Sequence, residues 1–303
     1  MKALNYSKHG QTPKVSTVPM PTRPLPSKSL MIKNYATSIN PADWYVRRAV
    51  SRFTTADSHD TSHRKSADGG QAALIGFDWP RVIGFDFSGV VVEVARDCDD
   101  EFKIGDRVFG MIAGLPEKDR GCAAEYLIVD AEVCVKKPDS ISHAEAASVP
   151  LVGITAVMML EACGLKLGSK SNARVLVLGG AGGVGSVAIQ IAKKMFGASF
   201  VATTASKGKK ETLVKSLGAD LVIDYRSEKF ETKLASQDDS KLFDAILACT
   251  NEASRCPTLL RKGGALCSII GSDDVRTFLL SSVSLSQNKV KKQKQSHLQV
   301  LFK

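Results

Sequence analysis

No apolar run in the 303-residue sequence approaches the ~20 residues that a bilayer-spanning helix needs, which excludes a helical membrane anchor within it. The opening MKALNYSKHG lacks the apolar core of a secretory signal, so a cytosolic chain is expected. Seven cysteines, an odd number without paired spacing, provide no disulfide framework and suit a reducing compartment. No Ser/His/Asp or Cys/His set stands at an informative spacing, so no covalent enzyme intermediate is expected. A hydrophobic content of 44% and a charged content of 24% are ordinary for a globular protein, and the length allows two domains.

Acidic residues are missing from the last part of the chain. After Asp274 there are Arg276, Lys289, Lys291, Lys292, Lys294 and Lys303 and no Asp or Glu, a local charge of +6. Subtracting this from the net charge of +10 leaves +4 for residues 1–274, a nearly balanced body. The tail has no aromatic platforms among its lysines, so it reads as a solvated end, and nucleic acid is not an expected partner.

Residues 173–197, ARVLVLGGAGGVGSVAIQIAKKMFG, organise the rest. An apolar run, Val175 to Leu178, meets a glycine cluster in which Gly180, Gly182 and Gly185 fit G-x-G-x-x-G, and a helical pattern follows. In that motif the first glycine permits a tight turn and the second lets a pyrophosphate approach the backbone. The third lets helix and strand pack closely. The helix start, with Gly183 and Val184, then offers unpaired N–H groups and a positive dipole end to phosphate. Strand-length runs follow at 199–203, 220–225, 243–249 and 264–270, with a helix expected over 209–219. Alternation of this kind predicts an α/β fold, a Rossmann-type doubly wound parallel sheet.

Residues 1–140 read as β-rich instead, with strands expected at 29–39, 82–94, 106–112 and 124–129, and glycines and prolines between them. A polar insert, about 47–70, carries His59 and His63 near Asp57 and Asp60. The H-x-x-x-H spacing suits zinc only on a helix, which this stretch does not resemble, and no third ligand is evident. It reads as a surface loop, so no metal site is expected. From His143 a single alanine-rich helical run is expected to end near Gly164.

Taken together, SINPADWYVR (38–47), VIGFDFSGVVVEV (82–94), FKIGDRVFG (102–110), AAEYLIV (123–129), AASVPLVGITA (146–156), LGGAGGVGSVAIQIAK (178–193) and LGADLVIDY (217–225) are specific. Over about residues 1–272 the chain resembles the medium-chain dehydrogenase/reductase superfamily and, within it, the zinc-independent quinone oxidoreductases. The resemblance implies a GroES-like catalytic domain at 1–142 and a Rossmann cofactor domain at 143–274, with the active site in the cleft between them. Zinc-dependent relatives place Cys where this chain has Asn40 and His where it has Phe85, and neither replacement binds zinc in their stead. Cys98, Cys122 and Cys134 stand too far apart for a structural zinc lobe. Without a Lewis acid, reduction of an already electrophilic quinone or α,β-unsaturated carbonyl is the expected chemistry.

The cofactor can be argued from another absence. No Asp or Glu stands in Ala202 to Ser206, where an NAD-preferring site holds the ribose hydroxyls. Ser206, Lys210 and Tyr225 match positions that hold the 2′-phosphate in NADPH-dependent relatives, with Lys207 and Lys209 adding charge, so NADPH is expected. The resemblance places Asn40 and Tyr45 beside nicotinamide and substrate, Tyr45 as the donor to the acceptor carbonyl, and Thr155 against the nicotinamide half. Asp43 is expected only to orient its turn.

Beyond Asp274 the motif matches stop, and residues 275–303 read as a divergent basic tail in place of the closing segment of the family. Two other readings follow from it: an NADPH-binding protein with impaired catalysis, and a nucleic-acid binder acting through the lysines. Residues after about Gln287 are expected to be disordered, and an unpaired sheet edge would favour self-association, for example as a homodimer.

Overall fold

The computed structural model of the chain describes residues 1–6, 12–43, 81–98, 101–112, 121–235 and 238–269. Two compact units divide between Leu151 and Val152. Tyr45, the His59 and His63 loop and the tail after Ile269 lie outside the described residues.

The first unit contains β1 (Lys2–Tyr6), β2 (Lys14–Thr17), β3 (Ser29–Ala36), β4 (Arg81–Val82), β5 (Asp86–Val94), β6 (Arg107–Met111), β7 (Tyr126–Asp130) and β8 (Cys134–Lys136). They form a three-stranded sheet, β2-β1-β4, and a five-stranded sheet, β7-β3-β5-β6-β8, in which every pairing is antiparallel. Leu30, Ile32, Phe87, Val91, Val108 and Leu127 build its core. At the start of β5 the alternation of a half-buried strand fails: Asp86, Phe87, Ser88 and Gly89 are all buried. Gly89 is required there, because a Cβ would sit 2.2 Å from the Lys33 carbonyl of β3.

Helix α1 (His143–Ala147) starts with a capping box, in which the Glu145 N–H donates to Ser142 Oγ and the Ser142 N–H to the Glu145 carboxylate. The helical run expected to continue to Gly164 is broken. It resumes as α2 (Pro150–Ala162), because Pro150 has no N–H to continue the first helix and is suited to begin the second.

The second unit alternates β9 (Arg174–Leu178), α3 (Gly183–Lys194), β10 (Phe200–Thr204), α4 (Lys209–Ser216), β11 (Leu221–Ile223), α5 (Phe230–Leu234), β12 (Phe243–Ala248) and β13 (Leu260–Ser268). Its sheet is wholly parallel, in the order β11-β10-β9-β12-β13. The order reverses direction between β9 and β12, and open sheets of this kind take ligands at the strand C-termini of such a switch point. Strands β9 and β12 are apolar through most of their length and buried at nearly every position, so both of their faces are covered. No helix among the described residues is long and apolar enough to cross a membrane. None of the seven cysteines is in a disulfide.

Candidate functional site

In the second unit the chain leaves β9 and enters α3 through Gly179–Gly182. The residue with left-handed backbone is Gly179, at φ +76°, one position before the glycine that the motif reading assigned to the tight turn. Gly180 needs to be glycine for a different reason: a Cβ there would lie 2.0 Å from Thr203 Oγ1. At Gly185 a Cβ would lie 2.3 Å from the Gly179 carbonyl, so this position sets the close approach of helix and turn. Gly182 and Gly183 are exposed, and Val184 is half-buried.

The hydrogen bonds of the turn separate occupied donors from open ones. Gly179 N–H donates to Thr204 Oγ1 (2.9 Å), Gly180 N–H to the Thr204 carbonyl (3.1 Å) and Gly182 N–H to the Gly179 carbonyl (2.9 Å). Ser186 N–H already bonds the Gly182 carbonyl (3.0 Å). Among the described residues the N–H groups of Ala181, Gly183, Val184 and Gly185 have no acceptor. Three of these belong to the first turn of a twelve-residue helix, where the dipole also favours an anion. With no side chain on Gly182 or Gly183 to obstruct them, they fit a pyrophosphate.

Residues expected at the adenosine end come together at the C-termini of β10 and β11. Thr204 pairs with Ile223, and Ala205 N–H donates to the Ile223 carbonyl at 3.0 Å, so Ser206 and Tyr225 leave the sheet at the same level. Ser206 is only 4% exposed, yet its hydroxyl has no partner among the described residues. Lys207, Lys209 and Lys210 follow it, all exposed, Lys209 and Lys210 on the first turn of α4. Tyr225 is 47% exposed, with the Arg226 guanidinium 6.0 Å from its ring centre. Thr155 is half-buried on α2, one turn after Val152, whose Cγ1 would stand 3.4 Å from a Cβ on Gly183. That spacing puts Thr155 on the helix face nearest the glycine turn.

A second polar cluster lies in the first unit, around Asn40. The Asn40 N–H donates to Asp43 Oδ2 (2.7 Å), and Gly84 N–H donates to Asp43 Oδ1 (2.8 Å), so Asp43 closes the turn and ties it to the start of β5. Asn40 is 6% exposed. Its Nδ2 donates to Asp86 Oδ2 (2.8 Å) and to Ser38 Oγ (2.8 Å), which uses both amide hydrogens. Only its carbonyl oxygen is left to offer. Asp86 also accepts from the Ser38 hydroxyl, and its Oδ1 accepts the Leu151 N–H at 2.8 Å, in the first turn of α2. Burial pushes the Asp86 carboxyl up to about 6, against the hydrogen bonds from Ser38, Asn40 and Leu151. Asp43 is raised as well, mainly by burial.

Sequence reasoning overlooked Asp86 and Thr204. Asp86 stands in an apolar stretch where alternation would turn it outward. Thr204 looks like an ordinary β-former until its contact with the turn is seen. Phe85, at the position where zinc-dependent relatives have His, contributes no donor side chain; its carbonyl accepts Ile112 N–H (3.0 Å) and the Cys122 thiol (3.1 Å). Among the described residues no group of three or more His, Cys, Asp or Glu is placed to hold a metal.

One chain thus combines an antiparallel β unit with a parallel α/β unit of the dinucleotide-binding type. Two family models match it: the alcohol dehydrogenase GroES-like domain over residues 26–139 and the zinc-binding dehydrogenase over residues 183–292. The second match reaches Lys292, so similarity to the family extends past Asp274, where the motif matches had stopped.

The chain belongs to the medium-chain dehydrogenase/reductase superfamily and is quinone oxidoreductase-like. It is 37% identical over 278 residues to a 2-methylene-furan-3-one reductase of Solanum lycopersicum, covering 90% of this chain and 63% of that one. An NADPH-dependent alkenal/one oxidoreductase of Arabidopsis thaliana, described as chloroplastic, is 34% identical with the same coverage. The chain therefore spans about 63% of the length of these two relatives. Among solved structures, the quinone oxidoreductase from Coxiella burnetii is 28% identical with a TM-score of 0.73, covering 99% of this chain and 86% of that one.

Proposed function

We propose that the chain is an NADPH-dependent oxidoreductase that delivers hydride to a quinone or an α,β-unsaturated carbonyl without zinc. The observation that carries this reading is the open first turn of α3, where unpaired N–H groups stand beside glycines that no side chain obstructs. Ser206 supports the choice of NADPH, because its hydroxyl bonds to none of the described residues and is open to a ligand oxygen, and three lysines follow it. The names of the tomato and Arabidopsis relatives point to the same acceptor class.

NADPH, when bound, supplies the hydride, and the protein supplies position and electrostatics. The N–H groups of Gly183, Val184 and Gly185 would hold the pyrophosphate, and Ser206 and Lys210 the 2′-phosphate. Asn40 enters this scheme as a hydrogen-bond acceptor, because Asp86 and Ser38 use its N–H groups. A carbonyl substrate then needs its donor elsewhere, and Tyr45 is the residue proposed for that role. Independence from zinc is supported by the donor set: Asn40 offers only a neutral amide oxygen where zinc-dependent relatives have a thiolate, and Phe85 has no ligating atom. We assign the chain to the cytosol because none of its cysteines is in a disulfide.

The direct test is NADPH consumption by purified protein against a panel of quinones and enones. Turnover of at least one class is expected. Tight NADPH binding with no turnover of any acceptor would support the impaired-enzyme alternative, and absence of NADPH binding would end both readings.

A further inference from the structure

The last two residues of β10 hold the phosphate turn from beneath. Thr203 Oγ1 donates to the Val177 carbonyl at 2.7 Å and fills the space that a side chain on Gly180 would need. Thr204 bonds the turn twice, accepting Gly179 N–H on its hydroxyl and Gly180 N–H on its carbonyl. Gly179 has little freedom to find another acceptor. Its left-handed backbone and the nearness of Thr250 Cγ2, 2.8 Å from where a Cβ would be, confine it. Removing the Thr204 hydroxyl therefore leaves a half-buried N–H without a partner, at the hinge from which the open donors of α3 are aimed.

We propose that Thr204 is a positioning residue for the dinucleotide pyrophosphate. It occupies the donors of Gly179 and Gly180, so that those of Ala181, Gly183, Val184 and Gly185 alone face the ligand. Because Ser206 follows two residues later on the same strand end, one rigid segment sets the distance between the pyrophosphate and the 2′-phosphate subsites. This inference rests on the dinucleotide reading above.

The test compares two ligands, NADPH and 2′-AMP. The second carries the 2′-phosphate but has no pyrophosphate to reach the turn. Thr204→Val keeps the side-chain shape and removes the acceptor; Thr204→Ser keeps the hydroxyl. Thr204→Val should weaken NADPH binding about tenfold, which corresponds to ~1.4 kcal/mol. Its affinity for 2′-AMP should stay within twofold, and Thr204→Ser should bind NADPH within threefold of the parent protein. Where Thr204→Val is less stable, native-state amide exchange supplies the second measurement, with Gly179 N–H exchanging faster in the variant and Gly180 N–H keeping its protection. Equal weakening of both ligands would reduce Thr204 to a structural residue, and unchanged NADPH binding or unchanged Gly179 exchange would overturn the proposal. A parent protein that binds neither ligand would mark failure of the dinucleotide reading itself, and the proposal would fall with it.

Discussion

The side-chain amide of Asn40 donates to the buried carboxylate of Asp86 across 2.8 Å, and this contact orients the only residue described at the expected catalytic position. Asp86 receives Ser38 and the Leu151 N–H as well, so one carboxylate holds a loop and a helix start within the first unit. The acid is costly to keep charged there, since burial outweighs those donors.

This cost gives a pH dependence with a definite sign. The folded Asp86 titrates at about 6 and the unfolded one at the ordinary 3.8. Its contribution to stability is complete below pH 3.8 and is lost as pH rises through about 6. The gap corresponds to ~3 kcal/mol at most. Asp86→Asn lacks this titration, so its stability relative to the parent protein should rise between pH 4.5 and 7.5 in urea unfolding. Carboxylates not coupled to Asp86 cancel in that difference, as do the hydrogen bonds that asparagine cannot make; Asp43, whose charge also raises Asp86, adds a smaller change of its own. A difference independent of pH would place the Asp86 titration in the ordinary carboxylate range.

Cofactor discrimination should depend on Lys210. NADPH is expected to bind at least tenfold tighter than NADH, about 1.4 kcal/mol. Lys210→Ala should narrow that gap while leaving NADH affinity nearly unchanged, as read by titration of cofactor fluorescence. Equal loss for both cofactors would make Lys210 a support of the fold instead.

The glycines of the turn should differ in their tolerance of a methyl group. Gly185→Ala places a Cβ 2.3 Å from the Gly179 carbonyl, backbone that cannot swing aside. It should cost about 1–3 kcal/mol in stability and weaken NADPH binding. Gly183→Ala meets only Val152 at 3.4 Å, an ordinary contact, and should leave the melting temperature equal or slightly higher. Equal stability losses in the two variants would contradict this assignment of close packing.

Metal removal should leave activity intact. NADPH-dependent reduction is expected to survive exhaustive chelation, because a neutral amide oxygen on Asn40 and no ligating atom on Phe85 stand in place of thiolate and imidazole. Stoichiometric zinc in the purified protein, lost together with activity, would contradict the zinc-free reading.

Much of the second unit was legible because its signals are local. A buried parallel strand reads as an apolar run, and the glycines of 179–185 mark a strand-to-helix turn whatever they later bind. The motif reading still misplaced the left-handed residue by one position, since periodicity cannot say whether Gly179 or Gly180 turns the chain. In the first unit β2 escaped notice because all four of its residues are exposed and it carries no burial pattern. Strand β8 has three residues, too few to show any period. The break before α2 was readable from Pro150 and was overruled by the apolar continuity around it. Asp86 could not be read as buried, because its partners come from Ser38, Asn40 and Leu151, far away in sequence.

The cysteines acquire a meaning from the chemistry proposed. Quinones and enones alkylate exposed thiolates, so a catalyst that handles them is at risk from its own substrates. Burial pushes the thiols of Cys163 and Cys249 up to about 12 and that of Cys256 to about 11, and raises Cys122, Cys134 and Cys267 as well. At neutral pH these six sulfurs stay protonated, and protonated thiols are poor nucleophiles. The packing that builds the two cores thereby also keeps these six thiols poorly reactive toward the electrophiles proposed as substrates.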